Sequence, residues 1–393
     1  MNTIAQPPIS SRQRPRVVVF GGGIGMFPPL MQRFTQDFDV AGVISPEMPK
    51  FWRGVFLALS VRWPKIAWYR RWRYMVEKTP FAFRCTTLEA HKALQAYEGQ
   101  YDFILFMGAM YAPTLDLKKP MFIFTDSTRR LSSKNQHDEV SHFKSASDER
   151  RWLDLEGQVY RSATRIFVGS EFVRQSLIND YHVDARRAVT AGFGAGLGFG
   201  DPYEKRFDGR SILYIGKGDF EKKGGTLLLQ AFELVKQEIP DAVLHVVGQE
   251  HLPEVSGMVN HGFVRDRNRI VELMRAAHVF ALPSLVDRNP ISILEAMAAA
   301  TPCIASDYGA MPELVGDAGL IAPCNDVQAL ARALVTVLRD PVLSADLGQK
   351  GRRRFDTKYN WDSVWHTVRA EIWEGLDESR SPKNAPTDQI RQR

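Results

Sequence analysis

The sequence predicts an α/β chain of two doubly wound, parallel-sheet domains, and three observations predict it. Short apolar runs rich in Val, Ile and Phe alternate with helix-length segments throughout, the pattern of successive βαβ units. The 393 residues exceed one ordinary hydrophobic core and suit two domains of average size. Near the middle, GFGAGLGFGDP (residues 192–202) offers backbone freedom and few core side chains, as a linker or hinge would, and it separates two sets of strand candidates.

In the first half the strands are RVVVF from Arg16, VAGVI from Val40, DFILFMG from Asp102, MFIFT from Met121 and RIFVGS from Arg165. In the second they are SILYIG from Ser211, AVLHVVG from Ala242, HVFALPS from His278 and PCIAS from Pro302. The expected organisation is a disordered N-terminus (1–15), a first domain (16–195) and a second domain (203–353). A long amphipathic helix (354–376) then crosses back to the first domain, and a polar, disordered tail (377–393) follows. That helix is read from Phe355, Trp361, Val364, Trp365, Val368 and Ile372, which recur at largely helical spacing. Ligands of open parallel sheets collect beyond the carboxyl ends of the strands, so a cleft between two facing sheets is the default site.

With 44% hydrophobic and 24% charged residues the composition fits a soluble globular protein and excludes disordered and collagen-like classes. A net charge of +6 favours an anionic partner without choosing among nucleotide phosphates, nucleic acid and an acidic membrane face. Cys85, Cys303 and Cys324 are odd in number and lack metal-ligand spacing, so reduced structural thiols in a cytosolic protein are expected. The opening residues lack the apolar core of a secretory signal, and no run approaches the roughly 18 to 20 apolar residues of a membrane span.

Three stretches could carry chemistry. GGGIGMFPP, from Gly21, follows the first strand directly, and Gly22 and Gly23 would let backbone N–H groups approach a phosphate or sugar. It fails as a dinucleotide fingerprint because Met26 or Pro28 stands where the third glycine belongs. LYIGKGDFEKKGG, from Leu213, sets Lys217, Lys222 and Lys223 beside bare backbone where a helix begins, an arrangement suited to a diphosphate; no P-loop ending follows. In DRNPISILEAMAAATP, from Asp287, Pro290 suits a first helical turn, and Ser292 with Glu295 reads as a capping box. Capping would explain Glu295 but leaves Asp287 without a reason. A carboxylate can accept hydrogen bonds from sugar or ribose hydroxyls, and the N–H groups of Asn289, Ile291 and Ser292 could meet phosphate or sugar oxygens.

Together LYIGKGDFEKKGG…LHVVG, VFALPSLVDRNPISILEAMAAATPCIAS and YGAMPELVGDAGLIAP resemble the nucleotide-binding half of the family 4 glycosyltransferases. The likeness continues more weakly through residues 160–184. It implies a GT-B fold of two Rossmann-like domains facing a cleft, and sugar transfer from a nucleotide sugar with retention of configuration. The family's pair of glutamates, separated by seven residues, falls on Asp287 and Glu295. Glu295 would then hold the donor ribose and Asp287 the donor sugar, with a reach one methylene shorter. Its basic pair facing the diphosphate falls on Lys217 and Lys223. Asp126, in FIFTDSTRR, is a candidate sugar or acceptor contact, or else a helix cap. Neither His137 nor His142 can be matched to the histidine that many members place against the sugar. No metal or other cofactor is expected, and Asp37-Phe38-Asp39 is read as a surface turn rather than a metal motif.

Between Met48 and Val76 there is no acidic residue, while Trp52, Trp63, Trp68 and Trp72 interleave with Arg53, Arg62, Lys65, Arg70, Arg71 and Arg73. Tryptophan with arginine suits an anionic membrane interface; a partly buried helix pair with a basic outer face competes, and single-stranded nucleic acid ranks well behind. The expected partners are a nucleotide sugar, a glycan or lipid-linked acceptor and an anionic membrane, with no nucleic acid. The reading is a cytoplasmic retaining glycosyltransferase at the inner membrane face, in polysaccharide or glycolipid synthesis. Its alternatives are a nucleotide-sugar epimerase or phosphorylase of the same fold, or a non-catalytic sugar-nucleotide or nucleic-acid binder.

Overall fold

The structure, a computed structural model, describes residues 14–21, 28–61, 63, 65–137, 143–199, 205–207 and 209–380. Gly22, Gly23, His142, the outer ends of the chain and part of the glycine-rich stretch lie outside the described residues.

The first sheet is built from β1 (Arg16–Phe20), β2 (Asp39–Ile44), β3 (Phe103–Met107), β4 (Met121–Thr125), β5 (Arg165–Val168) and β6 (Ala188–Thr190). Its order is β2-β1-β3-β4-β5-β6. Helices α1 (Pro28–Asp37), α2 (Lys50–Leu59), α3 (Lys65–Glu77), α4 (Pro80–Gln95), α5 (Arg129–Lys134), α6 (Ala146–Ser162) and α7 (Glu171–Tyr181) connect them. The second sheet comprises β7 (Ser211–Ile215), β8 (Val243–Val247), β9 (Met258–Asn260), β10 (Val279–Leu282), β11 (Cys303–Ser306) and β12 (Gly319–Ala322), ordered β12-β11-β10-β7-β8-β9. Its pairings are all parallel. Counted from β7, that is the doubly wound order 3-2-1-4-5-6, whose switch point falls between β7 and β10. Helices α8 (Gly225–Glu238), α9 (Arg267–Ala276), α10 (Ile291–Ala298), α11 (Met311–Val315), α12 (Val327–Arg339) and α13 (Pro341–Arg354) complete this part, and α14 (Trp361–Arg380) follows.

All nine expected strands are present. Sequence reading missed β6, β9 and β12; β6 and β9 have only three residues each, too short for an apolar run or an alternation to register.

The chain divides into two compact units. One holds the described residues up to Phe124, Asp154–Arg165 and those from Ile372; the other holds Thr125–Leu153 and Ile166–Glu371. In the first, Phe34, Phe38 and Phe103 pack ring on ring, with Phe122 edge-on to Phe103. Phe38 of the Asp37-Phe38-Asp39 triplet is thus a core residue, at the junction of α1 and β2. The end of α14 belongs to this core through Trp373, whose ring centroid is 5.7 Å from that of Phe38.

Two expectations about the C-terminal segment change. A continuous helix from Arg354 does not form: α13 runs to that residue, a π turn spans Phe355–Tyr359, and α14 starts afresh. The restart has a cause in Asn360, whose Oδ1 accepts the N–H groups of Asp362 and Ser363 at 2.9 and 2.8 Å as an N-cap. Residues 377–380, expected to open a disordered tail, are the last turn of α14. There Arg165, buried at the start of β5, binds both carboxylate oxygens of Glu378 at 2.8 and 3.0 Å.

The described glycine-rich residues are closely packed rather than slack. Phe193, Ala195 and Phe199 are buried. A Cβ on Gly194 would come within 2.4 Å of the Trp361 ring, whose Nε1 donates to the Ala195 carbonyl at 2.9 Å.

Candidate functional site

Lys217 and Asp287 leave the carboxyl ends of β7 and β10, the two strands that flank the switch point of the second sheet. Open parallel sheets bind ligands at such a point. Lys223 reaches it from the turn before α8 and donates to both oxygens of Asp287, at 2.8 and 2.9 Å. The two side chains are about three-quarters buried, so the pair is shielded from bulk water without being dry.

Glycine makes this approach. Gly224 adopts φ +75°, and a Cβ there would stand 1.9 Å from the Pro283 carbonyl oxygen. The Lys222–Gly225 turn can therefore close against the end of β10, where the Leu285 N–H donates to the Lys222 carbonyl at 2.9 Å. Ser284 Oγ fixes the other side by accepting the N–H groups of Val286 and Asp287 at 3.3 and 3.1 Å. Gly309, at φ +63°, lets the next loop lie on the backbone of Asp287 and Arg288, and the Ala310 N–H donates to the Arg288 carbonyl at 3.0 Å.

Glu295 occupies the second turn of α10. The capping box does not form: Pro290 holds the N-cap position and no side chain caps the helix. Both Ile291 and Ser292 thus begin a helix whose first N–H groups lack a side-chain acceptor. The Glu295 carboxylate turns instead to Arg267 and to the backbone N–H groups of Gly196 and Leu197. Burial is the dominant influence on it and, despite these partners, pushes its pKa up to about 7. Arg267 also donates to the Gly196 carbonyl, which ties α9, α10 and the glycine-rich stretch together.

The side chain of Asn289 is tucked against Gly169, and both its amide atoms are buried without a hydrogen-bond partner among the described residues. An unsatisfied buried amide is costly, which marks it as a group able to gain from a ligand. Lys217 is exposed, its Nζ 5.3 Å from the ring centroid of Phe263. A cavity of about 450 Å³ adjoins the Lys222–Gly225 turn, lined among others by His137, Lys222, Gly224, Leu285 and Asn325. The segment carrying His137, which follows α5, is anchored by Asn135 Nδ2, which donates to the Leu285 carbonyl at 3.0 Å and to the Tyr308 hydroxyl at 2.7 Å.

Lys223 and Asp287 are therefore directly paired, while Lys217, Asn289, Ile291, Ser292 and Glu295 belong to the β7 and β10 connections around them. Asp126 does not cap a helix. It is exposed at the end of β4, and Thr128 caps α5 by accepting the Leu131 N–H at 3.3 Å. Sequence reasoning missed Arg267, Ser284, Asn135 and the Gly196–Leu197 backbone. Only Ser284 left a local signal, a serine three residues before Asp287 in a loop.

The basic, aromatic stretch forms α2 and α3. Trp68 Nε1 donates to the Leu57 carbonyl at 3.1 Å and Trp72 Nε1 to the Arg53 carbonyl at 3.2 Å, so these two tryptophans fasten one helix to the other. Arg70 and Arg71 are exposed, and Trp63 is 84% exposed. Helix α2, KFWRGVFLAL, has no buried residue. Among the described residues no helix is long and apolar enough to cross a membrane, and no group of three or more His, Cys, Asp or Glu is arranged to hold a metal.

Residues 209–340 match the family described as glycosyl transferases group 1. A phosphatidyl-myo-inositol mannosyltransferase of Mycolicibacterium smegmatis is 33% identical over 168 residues, covering 40% of this chain. The match spans only 43% of that relative's length. An MMP alpha-(1->4)-mannosyltransferase of Mycolicibacterium hassiacum is 26% identical over 71% of this chain and 72% of its own. Among solved structures, sucrose-phosphate synthase from Thermosynechococcus elongatus superposes with a TM-score of 0.65 at 18% identity, over 93% of this chain and 100% of its own.

Proposed function

We infer that the protein transfers a sugar from a nucleoside-diphosphate donor, a reading supported by the match of residues 209–340 to the glycosyl transferases group 1 model and by the GT-B fold. The observation that carries this reading is the Lys223–Asp287 pair at the switch point, flanked by Lys217, Glu295 and the uncapped start of α10. Cations and a helix N-terminus beside a sheet's carboxyl edge suit a diphosphate. In this reading Glu295 accepts hydrogen bonds from the donor ribose and Asp287 from the transferred sugar. On donor binding Lys223 exchanges part of its contact with Asp287 for the diphosphate.

The chemistry follows from charge. As the glycosidic bond to the donor breaks, negative charge grows on the departing diphosphate, and Lys217, Lys223 and the α10 N–H groups lower its energy. The acceptor hydroxyl attacks the anomeric carbon on the face the diphosphate vacates and gives its proton to the departing phosphate oxygen, so configuration is retained and neither a metal nor a covalent enzyme intermediate takes part. The names of the relatives make a mannosyl nucleotide the first donor to test and a lipid-linked or glycan acceptor the natural recipient. Trp63, Arg70 and Arg71 would hold the enzyme to the anionic cytoplasmic membrane face where such an acceptor resides.

The test is turnover with a panel of guanosine- and uridine-diphosphate sugars and a lipid extract as acceptor. Nucleotide release that depends on the acceptor, and that falls at least a hundredfold in Glu295→Ala, supports transfer. Release without acceptor, or with phosphate alone, would indicate an epimerase or phosphorylase. Unchanged turnover in Glu295→Ala would overturn the site.

A further inference from the structure

A second cavity, of about 550 Å³, lies wholly within the unit built on β1 to β4. Its walls come from α4, α6 and the loop between β3 and β4. Phe83, Leu88, Leu117, Met121, Leu155 and Val159 are among its apolar lining residues, and the loop is held in place by Thr87 Oγ1, which accepts the Ala112 N–H at 3.0 Å. The volume falls within the range of small-molecule sites. No carboxylate lines it among the described residues, and its one ionisable lining group is Arg84, which is exposed. An apolar chamber with a single cation at its edge fits a molecule with an apolar tail and an anionic head.

The surface around α4 indicates where such a molecule would come from. One turn before Arg84, Phe81 packs edge-on against Trp52 and Phe56 of α2, with ring centroids 5.0 and 5.8 Å away. That helix has no buried residue, and its apolar side chains continue into Val61 and Trp63, which are 66% and 84% exposed. Water does not favour so many exposed apolar side chains beside an all-basic segment, whereas an anionic bilayer surface accommodates both. Helix α4 thus joins a lipid-compatible surface to the cavity.

We propose that this cavity takes one acyl chain of an anionic membrane lipid, with Arg84 on its phosphate. The site lies on a different unit from the nucleotide-binding residues and does not depend on the donor reading. Leu88 and Gln158 are exposed at its wall, so they can be altered without opening the core.

The probe is dodecyl phosphate below its micellar concentration, titrated by calorimetry into the full-length protein, with neutral dodecanol as comparison. Saturable binding is expected, weakened about tenfold for dodecyl phosphate but not for dodecanol in Arg84→Glu, since only the charged head loses a partner. In Gln158→Trp, which fills the chamber, both should stop binding while the melting temperature and the shift given by a nucleoside diphosphate stay unchanged. Undiminished dodecyl phosphate binding in Gln158→Trp would overturn the proposal. So would failure of the wild type to bind it while still sedimenting with phosphatidylglycerol vesicles, a result placing lipid contact on α2 and α3 alone.

Discussion

Asp287 and Lys223 hold each other through both carboxylate oxygens. Removing the cation in Lys223→Ala leaves a mostly buried carboxylate without its partner, which should lower stability by about 1 to 2 kcal/mol in urea melts. Glu295 behaves oppositely. Its folded pKa lies near 7 against an ordinary value of 4.5, so the unfolded chain sheds its proton first as pH rises. Stability attributable to this group therefore falls between about pH 4.5 and 7 and is flat above, by an amount on the order of 2 to 3 kcal/mol. Glu295→Gln should be more stable than the wild type at pH 8 and equal to it at pH 4, although inactive; a variant destabilised equally at both values would show that burial does not govern this side chain. The sequence left Glu295 two readings, a capping box or a carboxylate turned toward a ligand, because both have the same spelling, and the uncapped start of α10 removes the first. Its partners, Arg267 and the Gly196–Leu197 backbone, are 28 residues or more away along the chain and left no local trace.

Elements were legible where their periodicity was long. Nine strands of four to six residues stood out as apolar runs, whereas AVT at β6 and MVN at β9 depend on neighbouring strands for their form. The break after α13 had a signal in Asn360, which the aromatic spacing on either side concealed. Turns carry the sharpest consequence at this scale. Gly224→Ala must move either the Pro283 carbonyl or the whole Lys222–Gly225 turn, and it forces a side chain into a left-handed conformation. A loss of roughly 2 to 3 kcal/mol is expected, together with weaker nucleotide binding, while Gly218→Ala, where a Cβ meets open space, should bear only the cost of its φ of +97°. At β8 and β9, His245 and His261 share a hydrogen bond of 3.0 Å, and burial lowers the pKa of both, with mutual repulsion adding to it for His245. The unfolded chain takes up protons first on acidification, so stability should drop as pH falls below about 6.5, and His261→Gln should flatten that drop in a pH series of thermal melts.

For the molecule as a whole, the second sheet was the readable part because its motifs sit in fixed order at strand ends, and the group 1 match covers that region. In the first half, composition exposed a basic, aromatic segment but could not say which rings face outward. The helix pair resolves this: Trp68 and Trp72 are fasteners, and Phe51, Leu59, Val61 and Trp63 are the most exposed of its large apolar side chains. Flotation with phosphatidylglycerol vesicles should accordingly fall severalfold in Leu59→Glu with Trp63→Glu, and fall with added salt in the wild type. Equal flotation of the double variant would leave the arginines as the sole contact.

In the proposed function Lys223 and its neighbours at the switch point grip a diphosphate. Calorimetric titration of wild type and Lys223→Ala with a nucleoside diphosphate and with the corresponding nucleoside tests it directly. We expect the wild type to bind the diphosphate at least a hundredfold more tightly than the nucleoside, and Lys223→Ala to lose at least tenfold of that preference while binding the nucleoside as before. An undiminished preference in the variant, or none in the wild type, would contradict a diphosphate grip at Lys223.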